Sequence, residues 1–272
     1  MREEGGFGWE RVFGVSVGAL NGALLGQGRP GDLAEIWRTI REEDVHRKFS
    51  WPVVAFRVGL LGKRGLYDDR PLRATIERHL AGRPFRIPVH VGRVSLASGL
   101  YELVGSDRPE AEFLDAIWHS ATMPVVWEPV GPWAFVDGGL RNVTPLGDAL
   151  GFDPTEIAVI LASPRAVEAV PPPRNLLQVA IRGLADIAID EILVNDVREF
   201  ERINRLVGQA AAQGVALRDD SGRPYRHVSI TVIEPPGPLG DTLDFSPALI
   251  RERVAAGEAA ARRVLERAAR SA

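Results

Sequence analysis

A serine with a glycine two positions away on each side, Gly14-Val15-Ser16-Val17-Gly18, has the spacing that sets a nucleophile on a sharp turn between a strand and a helix. A serine hydroxyl is a poor nucleophile until a base takes its proton and donors receive the charge of the tetrahedral intermediate. The apolar pair Val12-Phe13 before the motif reads as the strand, and the alanine- and leucine-rich stretch after it as the helix. In that setting Gly14 and Gly18 let the turn pass close to its neighbours. The N–H of Val17, at the start of the helix, is placed to meet a developing oxyanion. Chance alone puts such a pattern into roughly one glycine-rich chain in ten, so a plain turn packing helix on strand is the competing reading.

A second candidate is Phe135-Val136-Asp137-Gly138-Gly139. An aspartate closing a buried strand projects into the crevice where open α/β sheets bind ligands, and two glycines let the chain turn away without covering it. Asp137 could take the Ser16 proton as a general base. At its ordinary pKa of about 3.9 a carboxylate is a feeble base, so the role requires partial desolvation. A plain Asp-Gly turn is the alternative. Histidine offers another base, because Ser16, Asp137 and His227 follow the Ser–Asp–His order of α/β-hydrolases. His227, however, opens a strand rather than lying in a loop beyond one. His46, His79 and His119 fall on helical stretches or their ends and His90 inside a strand, where structural or surface roles are expected. No His, Asp and Glu spacing suggests a metal site.

The elements that must position these residues alternate between strand-like and helical runs, which predicts an α/β fold with a largely parallel sheet. Strands are expected at 11–13, 89–96, 101–104, 134–136, 157–162 and 227–233. Helices are expected at 19–25, from Asp32 (with Glu35 completing a capping box) to about Glu43, and from Asp69 to Leu80 with Pro71 in the first turn. Others follow at 109–121, after Thr144-Pro145, over 176–206 and after Ser246-Pro247. The run Ile157–Ala162 reads as the most buried strand, continuous enough for a covered parallel sheet.

Composition narrows the class. A net charge of −3 gives no electrostatic case for nucleic acid as a partner. The absence of cysteine excludes disulfides, thiolate metal sites and cysteine nucleophiles, and fits a reducing, cytoplasmic setting. No run of about 18 apolar residues is present, and the acidic start lacks the features of a signal peptide. The linker-like Val170–Arg174 is too short to separate two domains, so a single domain is expected over residues 1–272. Phe49–Arg64, apolar and aromatic with basic edges, is expected to be buried; its other reading is a lining for acyl chains or a membrane contact. The amphipathic run 176–197 is expected to face the core.

The segments GVSVGALNGALL, GLYDDRPLRATIERHL, SATMPVVWEPV with FVDGGLRNVTPL, and LDFSPALIRERVAAGEAA occur in an order that resembles the patatin-like phospholipases, a family of lipid acyl hydrolases. The resemblance implies a three-layer α/β/α fold with a central, mostly parallel sheet, similar to cytosolic phospholipase A2 catalytic domains. It makes Ser16 the nucleophile and Asp137 its only catalytic partner, with Gly14, Gly18, Gly138 and Gly139 as motif positions and no catalytic histidine. It implies no metal or organic cofactor, a lipid or other ester as substrate, and peripheral contact with a membrane. Family members begin with a strand and a Gly-Gly-Gly-x-x-Gly loop whose N–H groups hold the oxyanion, followed by a helix. Here Met1-Arg-Glu-Glu-Gly5-Gly6 resembles the tail of that helix, and Gly5-Gly6 lie on its wrong side to replace the loop. The expectation is therefore an N-terminally incomplete domain that keeps the Val17 N–H, with impaired catalysis or lipid binding alone as the alternative to turnover.

Overall fold

Val12 and Phe13 lead strand β1 (Val12–Gly14), and Ser16 turns the chain at once into helix α1 (Val17–Gly26), in the computed structural model, which describes residues 8–166 and 169–271. β1 pairs in parallel with β2 (Val89–Ser95), Val12 opposite Val89 and Gly14 opposite Val91. Across the tight turn at Gly99, β2 pairs antiparallel with β3 (Tyr101–Gly105). β4 (Phe135–Asp137) also runs antiparallel to β2, placing Asp137 opposite Arg93. A second, two-stranded parallel sheet joins β5 (Glu156–Ile160) to β6 (Ser229–Ile233). The chain is an α/β protein, as the alternation of elements requires. The central sheet is mixed rather than mostly parallel, because β3 and β4 both oppose β2.

Small residues let α1 lie close against the strands. Ala19 and Ala23 are fully buried, and a Cβ on Gly22 would stand 2.9 Å from Val12 Cγ1. Helices α5 (Arg70–Leu80) and α6 (Glu110–Ser120) complete this layer. Their buried positions, Leu72, Ile76 and Leu80 on one and Phe113, Ala116 and Ile117 on the other, recur at helical spacing and join one core with Val89 and Val91. A second core, with Val159, Val197 and Phe200, lies between the smaller sheet, α7 (Leu146–Leu150) and α9 (Asp190–Ala212). The C-terminal helix α10 (Pro247–Ser271) touches both β6 and α2 (Pro30–Thr39), linking the two halves.

Several expectations need correction. The Asp32 helix starts at Pro30 and stops at Thr39, where Ile40 leaves helical backbone (φ −58°, ψ 140°); the short α3 (Glu42–Val45) is a separate turn. Asp32 caps nothing and instead accepts from Arg29 Nε at 2.6 Å. The Ile157–Ala162 run is half exposed: Val159 and Leu161 are buried but Ile160 is 72% exposed, because β6 is the strand paired with β5 and cover lies on one face. Phe49–Arg64 is not buried either. It carries α4 (Trp51–Gly59), of which Val54 alone is buried. The run 176–197 divides: α8 (Leu176–Gly183) has no buried residue, a π-helical turn follows over Leu184–Ile189, and α9 supplies Leu193 and Val197 to the core. Among the described residues no helix is long and apolar enough to cross a membrane.

Candidate active site

The strand order explains why Ser16 and Asp137 meet. Each strand has two hydrogen-bonding edges, and β3 occupies one edge of β2 over His90–Val94. β1 and β4 therefore share the other edge and run toward each other along it, β1 ending opposite Val91 and β4 ending opposite Arg93. Two residues of strand span only about 7 Å. The chain leaves β1 through Val15-Ser16 and leaves β4 through Gly138-Gly139 into that gap. The antiparallel β4, unforeseen from the sequence, is what brings the two motifs head to head.

At the end of β1, Ser16 adopts φ 56° and ψ −129°, a backbone conformation that strains an L-residue. Gly14 makes the turn sterically feasible: a Cβ there would meet the Gly18 carbonyl oxygen and stand 2.6 Å from its carbon. Gly18 does not have the matching role expected of it, since a Cβ on it would point into open space. The N–H groups of Gly18 and Ala19 bond back to the carbonyls of Val15 (2.8 Å) and Ser16 (2.9 Å). As the first residue of α1, Val17 has an N–H with no intrahelical acceptor. The strain at residue 16 is measurable. Ser16→Gly should be more stable than Ser16→Ala by about 1 kcal/mol, because glycine accepts this backbone geometry freely. Thermal unfolding of the two variants tests it, and equal midpoints would remove the argument for strain.

Asp137 is 5% exposed. Its backbone N–H donates to the Thr122 carbonyl (2.9 Å), and its Oδ1 accepts from the Gly139 N–H (2.8 Å). Burial pushes its pKa up to about 6, while the nearby Ser16 hydroxyl and the hydrogen bond from the Gly139 N–H favour the ionised form and oppose the rise. This is the desolvation that a carboxylate base requires. A Cβ on Gly138 would meet the Gly92 carbonyl, so the chain beyond Asp137 is pressed against β2. A Cβ on Gly139 would stand 3.4 Å from Ile189 Cγ2, which sets the π-helical turn beside the site.

The last turn of α6 holds both halves together, a function that sequence reasoning missed. The Ser16 N–H donates to Ser120 Oγ (3.0 Å), and Thr122 accepts from Asp137 through its carbonyl. Asp69 anchors this turn from the other side, accepting from Trp118 Nε1 (2.9 Å) and Thr122 Oγ1 (3.3 Å). Asp69 stands at the start of α5 but makes no side-chain cap; burial raises its pKa to about 6 against those two hydrogen bonds. Ser120 and Thr122 were visible as small polar residues in the quoted SATMPVVWEPV. Nothing local marks them as partners of residues 104 positions and 15 positions distant.

Among the described residues no histidine is recorded as a hydrogen-bond partner of Ser16 or Asp137. His119 is buried, stacks on Phe135 and contacts Arg93 at 3.1 Å; burial and that cation lower its pKa to about 3. His46 is buried and stacks on Tyr67, a structural position as expected, with neither ring nitrogen hydrogen-bonded among the described residues; burial lowers its pKa. His90 stacks on Phe13, and His227 lies exposed just before β6. Gly5 and Gly6, considered for the oxyanion, fall outside the described residues.

A strained Gly-x-Ser-x-Gly serine and a buried strand-end aspartate thus share one gap of an α/β sheet. The family model for patatin-like phospholipase matches residues 2–150, and the chain belongs to that family of lipid acyl hydrolases. Comparison with curated proteins gives no match.

Proposed function

We propose that this protein is a serine acyl hydrolase that cleaves carboxylic ester bonds of lipids through a Ser16/Asp137 dyad, within one domain over residues 1–272. The observation that carries this reading is geometric: β1 and β4 end head to head on one edge of β2, setting the strained elbow serine and the buried Asp137 in the same gap. Ser16 Oγ attacks the ester carbonyl carbon while Asp137 takes its proton. The C–O bond to the leaving alcohol breaks, and Asp137 returns the proton to that alcohol. Water then attacks the acyl-enzyme, with Asp137 again as base, releasing the fatty acid and restoring Ser16. The Val17 N–H receives part of the oxyanion charge. A base with pKa near 6 is ionised at neutral pH yet basic enough to matter, which one at about 3.9 is not.

A second reading, lipid binding without turnover, draws on the elbow itself. The Ser16 N–H is already engaged by Ser120 Oγ, so Val17 is the elbow donor left for the oxyanion. Removing one such donor from a working site costs about 10²–10³ in rate. One experiment separates the readings. A fluorophosphonate should label the chain, with labelling lost in Ser16→Ala and kept in every other serine-to-alanine variant. An unlabelled chain that still binds lipid vesicles supports the second reading and overturns the first.

A further inference from the structure

Helix α4 is apolar but for Arg57, and most of its length stands in solvent. Trp51, Val53, Phe56, Val58, Leu60 and Leu61 are all exposed, Trp51 by 65% and Leu60 by 72%. Scattered surface hydrophobics need no explanation, but a continuous helix of them marks an interaction site. Its flanks indicate the partner. The segment Val45–Tyr67 contains five cations and no carboxylate, within a chain of net charge −3. Lys48 pairs with Glu42 (2.6 Å) and Lys63 with Glu128 outside it, so among the described residues Arg47, Arg57 and Arg64 are the cations there with no carboxylate paired to them. Both lysines of the whole protein lie in it.

The helix is also tied to the candidate site. Just past it, the N–H groups of Leu66 and Tyr67 donate to the carbonyls of Val125 (3.1 Å) and Val126 (2.9 Å). Lys63 pairs with Glu128 at 3.1 Å. That 125–128 stretch begins three residues after Thr122, whose carbonyl receives the Asp137 N–H.

We propose that α4 and the Leu60-Leu61 turn insert into the headgroup–acyl boundary of a bilayer containing anionic phospholipid, with the flanking cations against the headgroups. An aromatic and aliphatic surface bordered by Lys and Arg is the pattern of interfacial helices, and each cation near an anionic surface strengthens binding roughly fivefold. The docking goes beyond the hydrolase reading and does not depend on Ser16 chemistry, so its test reads binding rather than turnover.

The full chain is floated with vesicles of phosphatidylcholine alone and of phosphatidylcholine with phosphatidylglycerol, beside the double variant Phe56→Asp/Leu60→Asp. Both substituted side chains are exposed, and an unchanged thermal midpoint confirms that the variant is folded. The chain should bind the anionic vesicles at least tenfold better than the neutral ones, more weakly at high salt, and the variant should lose about tenfold or more of that binding. Equal binding by the two proteins overturns the proposal. So does a chain that ignores vesicles but forms a dimer that the double variant dissolves, which would assign the helix to a second copy.

Discussion

Replacing Asp137 with asparagine should abolish ester hydrolysis while making the protein more stable at alkaline pH. Asparagine keeps the shape, and its side-chain oxygen can still accept from the Gly139 N–H at the 2.8 Å position of Oδ1. It cannot take the Ser16 proton. Loss of a positioned general base removes about 10²–10⁴ in rate, and a dyad with no further base to share the work should fall toward the upper figure. The wild-type rate should rise with pH as the carboxyl ionises and level off above about 6, the pKa to which burial raises it. Stability moves the other way. The folded carboxyl binds its proton more tightly than the unfolded one, so its contribution is largest below the ordinary value of 3.8 and is lost as pH rises through about 6. Above that window the folded protein keeps a desolvated charge at a cost on the order of 2 kcal/mol, which Asp137→Asn relieves. Urea unfolding at pH 4 and pH 8, beside a pH–rate profile on a soluble ester, checks both signs. A variant that retained wild-type turnover would end the dyad reading.

The second large effect concerns the two motif glycines, which should respond in opposite directions. Gly14→Ala puts a methyl group against the Gly18 carbonyl, 2.6 Å from its carbon and 2.8 Å from the Ala19 nitrogen. All three are backbone atoms, so no side chain can swing aside. Relief requires α1 to lift off β1, where Ala19 and Ala23 are fully buried and Gly22 lies under Val12. Overpacking of this kind costs about 3 kcal/mol, and the displaced elbow should lose fluorophosphonate labelling as well. Gly18→Ala meets nothing within 4 Å and lies in the first turn of α1. It should be stabilising by roughly 0.5–1 kcal/mol, since alanine replaces glycine in a helix. Urea midpoints of the two variants measure the contrast directly, and similar midpoints would mean that the elbow is not packed as described.

These two glycines also mark how far sequence reading reaches. Gly-x-Ser-x-Gly shows that a strand–turn–helix is wanted, but both glycines look alike in one dimension. Which of them faces backbone and which faces open space depends on where α1 rests on β1. The same limit appears at Phe49–Arg64. Its apolar composition reads as buried, but burial belongs to whatever packs on a segment, and here only Val54 finds cover. The Ile157–Ala162 strand fails for a related reason. Continuous apolarity signals a covered sheet, whereas β5 is covered on one face and leaves Ile160 outside.

Ser16 and Asp137 could be proposed from the sequence because the chemistry asked of them is local: a nucleophile needs its elbow and a strand-end carboxylate needs its glycines, all within five consecutive residues. The order of the motifs and the resemblance it carried placed the chain in its family and its α/β class. Tertiary structure decided the rest. It set β4 antiparallel on the same edge of β2 as β1, so that two motifs 121 positions apart end in one gap. It enlisted Ser120, Thr122 and Asp69 through hydrogen bonds that no spacing predicts, and it buried Asp137 deeply enough to raise its pKa to about 6. Spacing along a chain encodes what a turn can do, whereas burial and long-range pairing arise only when distant segments pack.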